Sequence, residues 1–267
     1  MIKIYTFAHK RPDFIELQFK SFKKNIKEDF EFIVFNNANF DVDRTHYDGI
    51  NKMCQSLGCQ VIDIQKDNEL ATTLPHSTDP ILFGHDGAYT NANMACAYPL
   101  CYAWQRILSK TDDKICIIDS DMFVTHPIEL SPLLDKYQLC FVPQIRHNEI
   151  NEKVAEYMWN GIVLANLQSL PDKEKINWWC GRVKDIPVDV GGQTTMYLDE
   201  HPELKLLHIR VRHIPDEPTT NFHPSNYEII WLEDQQAILH YRSGSNWNNM
   251  SPDYHVKKTR WLRHKLG

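Results

Sequence analysis

Asp119 and Asp121 are the residues in this 267-residue chain most able to do chemistry, because of what precedes them. They stand in the run Lys114 to Val124, KICIIDSDMFV, where Ile115, Cys116, Ile117 and Ile118 form a short apolar block. Such a block is how a strand buried on both faces reads in the middle of a parallel sheet. Side chains alternate along an extended chain, which predicts Asp119 and Asp121 on one face and Ser120 on the other. Two carboxylates at the mouth of a buried strand repel each other and resist leaving water. The pair therefore asks for a cation, most simply a divalent metal with oxygen ligands. The plainer alternative makes both aspartates solvated loop residues, or caps for a following helix. Strand ends are where α/β proteins hold ligands, and that favours the metal.

A second group of reactive residues opens the chain. Ile2 to Ala8 reads as a strand, followed by His9-Lys10-Arg11-Pro12 and then by Phe14, Leu17, Phe19, Phe22 and Ile26 at helical spacing. Pro12 suits the first turn of that helix, where its missing N–H costs nothing. A strand, a basic turn and a helix N-terminus together make an anion site. The run has no glycine-rich fingerprint, which excludes a P-loop or dinucleotide motif here. A solvated basic run is the ordinary alternative.

The elements that must position these residues follow an alternating pattern. Phe30 to Phe35 reads as a second strand stopped by Asn36, Asn37 and Asn39. Asp41 to Leu57 reads as a helix ended by Gly58, and Cys59 to Ile64 as a third strand. This βαβαβ order implies right-handed crossovers, a parallel sheet and a ligand at its carboxyl edge. Gln65 to Tyr89 has no periodicity; His76, His85 and Asp86 in it match no metal-site spacing and are read as loop polar residues. Ala92 to Leu108 reads as a helix with Asn91 and Asn93 at its start, and Pro99 predicts a kink or break in it. Further strands are expected at Leu139 to Pro143, Ile162 to Ala165, Ile229 to Leu232 and Ala237 to Tyr241. Asp189 to Thr195 reads as a flexible turn running into a helix through Met196 and Leu198.

Composition narrows the class. The formal charge of -6 argues against a nucleic-acid-coating protein, and 42% hydrophobic with 24% charged residues is ordinary for a globular chain. Met1 starts directly on a strand pattern, so no signal peptide is read, and no window has the apolar length of a membrane span. The seven cysteines are odd in number and form no CxxC pair, which speaks against zinc ribbons and for a reduced, cytoplasmic setting. Lys257, Lys258, Arg260, Arg263 and Lys265, with Trp261 and Leu262, make a basic amphipathic helix at about 253–267. It could lie peripherally on an anionic membrane or near a phosphate, or simply be solvated. With no repeat or linker in view, residues 1–267 are expected to form one domain.

Taken together, four segments resemble the GT-A glycosyltransferases. They are Thr6 to Arg11, Asp119-Ser120-Asp121, the strand Asn160-Gly161-Ile162-Val163-Leu164-Ala165-Asn166, and His240 followed by Gly244. The resemblance runs from Ile2 to about Asn248 and is nearest to glycogenin-like nucleotide-sugar transferases. It implies a Rossmann-like α/β fold with a mixed, mostly parallel central sheet flanked by helices. It also implies Mn²⁺ (or Mg²⁺) held by Asp119, Asp121 and His240 on the diphosphate of a UDP- or GDP-sugar. Thr6, Ala8, His9, Arg11, Asn37, Asn91, Ser120 and Gly244, with Asp119, would contact that donor. Trp159, Asn160, Gly191 and Gly192 would face a glycan or glycoconjugate acceptor. The sequence departs from the glycogenin-like ending: Ser243 stands where that family has its Gly, Gly244 comes one later, and Trp247 lacks the preceding Lys-Pro.

The chemistry is consistent with that family. Sugar transfer from a nucleoside diphosphate needs the leaving charge stabilised, which a metal does as a Lewis acid and a cation such as Arg11 can assist. Imidazole with two carboxylates suits Mn²⁺. An inverting enzyme needs a base for the acceptor hydroxyl, for which Asp189 is the candidate; a helix cap is its structural alternative. A retaining enzyme needs polar groups at the anomeric carbon, and Gln193 is placed for that. Two other classes compete. A haloacid-dehalogenase-like phosphohydrolase also ends a buried strand in D-x-D, but near its N-terminus and with Thr where this chain has Phe123. A non-catalytic sugar- or nucleotide-binding module would need neither both aspartates nor His240.

Overall fold

The computed structural model describes residues 1–38, 41, 43–64, 92–150, 152–214, 227–244 and 250–267. The first strands and helices follow the alternating pattern: β1 (Ile2–Ala8), α1 (Pro12–Asn25), β2 (Phe30–Asn36), α2 (Arg44–Leu57) and β3 (Gln60–Asp63). Pro12 sits in the first turn of α1, and Gly58 closes α2 in the left-handed region at φ 66°, a conformation glycine adopts without penalty. Then come α3 (Ala92–Arg106), β4 (Lys114–Ile118), β5 (Met122–Val124), α4 (Ser131–Lys136), β6 (Leu139–His147) and β7 (Lys153–Asn166). The last third holds β8 (Gly181–Val183), β9 (Ile186–Val188), α5 (Thr194–Glu200), β10 (Leu206–His208), β11 (Arg210–Ile214), β12 (Tyr227–Leu232), β13 (Gln235–His240) and α6 (Pro252–Leu266).

Seven strands form the central sheet in the order β10-β6-β7-β4-β1-β2-β3. The pairs β10–β6, β4–β1, β1–β2 and β2–β3 are parallel, and β7 runs antiparallel to both of its neighbours. This is the mixed, mostly parallel sheet expected. β4 lies in its middle and is covered on both sides, which is why its sequence is continuously apolar. Ile115 and Ile117 face the core that contains Trp104 of α3 and Trp178, while Cys116 and Ile118 face the core of Phe22 from α1 and Ile50 from α2. Each such isoleucine is essentially inaccessible, a burial worth about 1.5–3 kcal/mol.

Three expectations need correction. Asp119 to Asp121 is not extended; it is a tight turn closed by the Met122 N–H donating to the Asp119 carbonyl at 3.0 Å. The chain needs that reversal because β5, which follows, leaves the central sheet for another. Pro99 does not break α3, which runs through it from Ala92 to Arg106. Ile162 to Ala165 is only the end of a fourteen-residue strand, β7, whose earlier half pairs with β6 alone. The segment 65–91, with His76, His85, Asp86 and Asn91, and also Trp247, lies outside the described residues.

The second sheet, β11-β12-β13-β5, is antiparallel. β5 is one of its two edge strands among the described residues, and side chains of α1 occupy β5's backbone groups. Gln18 donates to the carbonyls of Asp119 (2.9 Å) and Met122 (3.0 Å), Asn25 donates to the Val124 carbonyl (2.7 Å), and Ser21 accepts from the Val124 N–H (3.2 Å). Residues 18, 21 and 25 share one face of a helix, so a polar stripe on α1 serves the edge of a strand. α6 packs Trp261 and Leu262 against Phe14, Leu17, Phe123, Leu239 and Tyr241. Its apolar face is thus used internally, and Lys257, Arg260, Arg263 and Lys265 are what it presents outward. Among the described residues no helix is long and apolar enough to cross a membrane.

Candidate metal centre

β5 and β13 bring the site together. Their antiparallel register places His240 opposite Met122, and the ladder continues with the Tyr241 N–H donating to the Asp121 carbonyl at 2.8 Å. His240 is thereby carried to the turn at the carboxyl end of β4. Ligand atoms of Asp119, Asp121 and His240 all lie within 4.8 Å of one another, and among the described residues this is the group able to hold a metal ion. All three metal ligands expected from the sequence resemblance are in it.

The surroundings fix each ligand. Asp121 Oδ1 lies 3.3 Å from His240 Nε2, and its Oδ2 accepts the Gly244 N–H at 2.8 Å. A Cβ on residue 244 would meet Asp121 Cβ at 2.6 Å and the Phe14 ring at 2.7 Å, so only glycine lets the backbone approach this closely. His240 Nδ1 lies 2.8 Å from Glu228 Oε2, its cross-strand partner on β12. A carboxylate on Nδ1 holds the ring orientation and keeps the Nε2 lone pair for a metal. The Trp159 ring, 5.5 Å from the imidazole, packs beside it. Asp119 donates its N–H to the Gly161 carbonyl at 2.8 Å.

Electrostatics follow from burial and proximity. Burial and the nearby Asp121 charge push the Asp119 carboxyl up to about 7, with His240 pulling the other way. Burial acts on Asp121 in the same direction, yet His240, the Gly244 N–H and Lys258 hold it below the usual carboxylate range. His240 rises to about 10: burial disfavours its charge, but Asp121 and Glu228 outweigh that. The ion-free site thus retains protons that a divalent cation would replace. Two carboxylate oxygens and one imidazole nitrogen, in a buried site with excess negative charge, fit Mn²⁺ or Mg²⁺.

Lys258 of α6 is fully buried beneath this site. Its ammonium donates to the Tyr241 carbonyl and lies 3.4 Å from the Arg242 carbonyl and 3.2 Å from the Tyr254 hydroxyl. Arg242 and Ser243 sit at φ 60° and 58°, a region costly for side-chain-bearing residues, and Lys258 pins the carbonyls next to them. Glu228, Gln18 and Lys258 were not singled out for the site from sequence. Each acts through contacts between segments far apart in the chain; the polar stripe 18-21-25 on an apolar helix was the one readable signal.

The other expected residues are distributed around this centre. Thr6 and Ala8 are buried in β1, and Thr6 Oγ1 has no hydrogen-bond partner among the described residues. His9 Nδ1 lies 3.1 Å from the Asn37 carbonyl, and Asn37 donates its N–H to the Ala8 carbonyl at 2.8 Å, so the ends of β1 and β2 are tied. Burial first, and the neighbouring Lys10, lower the His9 pKa although Asn37 opposes them. Arg11 makes two hydrogen bonds to Asp13, at 2.8 and 2.7 Å, with its guanidinium over the Phe14 ring. Ser120 stands within the turn, half-buried, as are Trp159 and Asn160.

Asp189, Gly191, Gly192 and Gln193 form the turn between β9 and α5. Gly191 adopts φ 85° and lies against the Met158 carbonyl, where a Cβ would sit at 2.2 Å. Asp189 is exposed and is not the helix cap; that position is Gln193, which makes no side-chain cap bond. The Gln193 amide nitrogen donates to the Arg182 carbonyl at 3.0 Å.

No protein-family model matches the chain, and no curated protein does. Among solved structures it is similar to the galactosyltransferase LgtC in complex with donor and acceptor sugar analogs, at 14% identity and a TM-score of 0.40, over 76% of this chain and 66% of that one. It is similar also to an active-site mutant of LgtC, at 15% identity and a TM-score of 0.36, over 62% and 57%. The chain thus spans less than two thirds of the length of either, and the functional reading rests on the site itself.

Proposed function

We propose that this chain is a metal-dependent glycosyltransferase of the GT-A type, moving a sugar from a UDP- or GDP-sugar to a hydroxyl of a glycan or glycoconjugate. The carrying observation is the Asp119–Asp121–His240 cluster, with ligand atoms within 4.8 Å, at the carboxyl end of the central strand of an α/β sheet. Such an edge is where open α/β sheets hold ligands. Mn²⁺ or Mg²⁺ bound by these three residues would supply Lewis acidity toward the departing diphosphate. Glu228 orients His240, Gly244 holds Asp121, and Gln18 fixes the turn, so the chain presents its ligands already arranged.

In this reading Asp189 accepts the acceptor hydroxyl's proton, supported by its exposure in the turn between β9 and α5. Gln193, its amide plane fixed on Arg182, is the group offered to a retaining reaction instead. Trp159 beside His240 supplies an apolar face for a sugar ring. Residues 1–267 are read as one catalytic unit closed by α6. Seven unpaired thiols accord with a cytoplasmic setting. Any membrane contact through α6 would act by charge alone.

Thermal-shift titration with UDP-, GDP- and dTDP-sugars, with and without Mn²⁺, tests the reading. Mn²⁺-dependent stabilisation is expected with one nucleotide, about 2.7 kcal/mol at a hundredfold excess over Kd, and its loss in Asp121→Ala. Nucleotide binding that ignores metal in the wild type would remove the metal assignment. Asp189→Asn should nearly stop transfer, and normal turnover would take Asp189 out of the mechanism.

A further inference from the structure

A cavity of about 680 Å³ lies between the β1–α1 turn and α6; Arg11 and Gly244, expected on the donor side, line it, and the α6 side of its wall has no role in the reading above. Its described walls carry Lys10, Arg11, Arg260 and Arg263, with His255 and a single carboxylate, Asp13. That carboxylate is already committed: it takes the Arg11 guanidinium in two hydrogen bonds and lies 4.0 Å from Arg263. Lys10 and Arg260 have no carboxylate partner among the described residues. A concave surface with more cations than counter-charges is a place for an anion.

His255 is the titratable ring in the wall of this cavity. His255 Nε2 is shielded from solvent yet has no hydrogen-bond partner among the described residues. Its Nδ1 lies 3.0 Å from the Tyr241 hydroxyl. In the tautomer in which that hydroxyl donates to Nδ1, Nε2 carries the proton and is a donor without an acceptor. Burial, then Arg11 and Lys258, hold His255 below its ordinary pKa. Forked guanidiniums from α6 with an ammonium from the opposite wall match the several oxygens of a phosphate ester.

We propose that this cavity is a metal-independent subsite for a phosphate ester, held between Lys10 on one wall and Arg260 and Arg263 on the other. Gly244 lines the cavity and also bonds Asp121, so the subsite and the metal cluster share a wall. The phosphate is therefore assigned to the acceptor or its carrier, an assignment that rests on the transferase reading; the subsite itself does not.

The test is calorimetric titration of the full chain in EDTA with glucose 6-phosphate, and with glucose as control. Saturable binding of the phosphate alone is expected. Affinity should fall at least about tenfold, some 1.4 kcal/mol, in Arg260→Ala/Arg263→Ala, and measurably in Lys10→Gln on the opposite wall. These side chains are exposed, so folding is retained. Asp119→Asn should bind as the wild type does. No saturable binding in EDTA, or equal affinity in the double variant, overturns the proposal. Co-sedimentation with phosphatidic acid vesicles, but not phosphatidylcholine, and its displacement by glucose 6-phosphate would assign the ester to a lipid carrier. Glucose 6-phosphate binding without vesicle binding would assign it to a soluble acceptor. Phosphate binding that persists while Mn²⁺-dependent nucleotide binding fails would remove the transferase reading and leave the subsite.

Discussion

Replacing Glu228 by glutamine keeps the side chain's shape and an acceptor oxygen while removing its charge. In the native site the carboxylate lies 2.8 Å from His240 Nδ1, with the two side chains only 16% and 10% exposed. Unit charges about 4 Å apart interact by ~4 kcal/mol at an effective dielectric near 20, but most of this is offset by their desolvation. The net difference is better taken from hydrogen bonds: about 1.5–3 kcal/mol to a charged group against about 0.5–1.5 between neutral ones. Glu228→Gln should therefore weaken the hold on His240 by about 1–1.5 kcal/mol, or roughly tenfold in Mn²⁺ affinity. That is the lower end of the range of about 10–100-fold seen for partners of metal ligands. Mn²⁺ titration at constant pH, read by calorimetry or by the spectrum of free Mn²⁺, measures it. The imidazole titration of His240, followed by NMR in the metal-free protein, should move down in the same variant, because Glu228 is one of the groups holding it up. Arg242→Gln removes another contact of Glu228, at 3.4 Å, and should leave Mn²⁺ affinity nearly intact. Wild-type Mn²⁺ affinity in Glu228→Gln, with an unmoved imidazole, would falsify the positioning role.

Gly244→Ala drives a methyl group to within 2.9 Å of Asp121 and the Phe14 ring; a loss of about 1–3 kcal/mol in urea unfolding, with weaker Mn²⁺ binding, is expected. Unchanged stability would mean the loop yields freely. Gln18→Leu strips the donor from the Asp119 and Met122 carbonyls, and a cost of about 1–3 kcal/mol is expected from those orphaned acceptors. An effect on stability without one on Mn²⁺ affinity would show that the turn keeps its shape unaided. Both Asp119 and His240 titrate above their ordinary values, so both hold protons at pH 6 that a metal must displace. Mn²⁺ affinity should then rise from pH 6 to 8 with proton release, and a flat profile in buffers of different ionisation enthalpy would contradict it.

What the sequence determined by itself was local. The apolar run Ile115 to Ile118 announces a strand covered on both faces, because both cores need apolar contacts from it. Pro12 and Gly58 mark helix ends through backbone restrictions that do not depend on the rest of the molecule. Asp119 and Asp121 are only two residues apart, so their mutual repulsion, and with it a candidate cation site, was legible in advance. Their geometry was not: an extended strand end was expected, and a closed turn is found, because β5 must depart for a second sheet. Only the tertiary structure decided which residues meet that turn. His240 reaches Asp121 through β-ladder register, Glu228 reaches His240 across strands, and Gln18 and Lys258 reach from helices. Register and helix packing are set by the cores as a whole, whereas periodicity in one segment reports only that segment's own burial. Two neighbouring carboxylates thus announced a candidate cation site, and the grouping of side chains around them was a property of the fold.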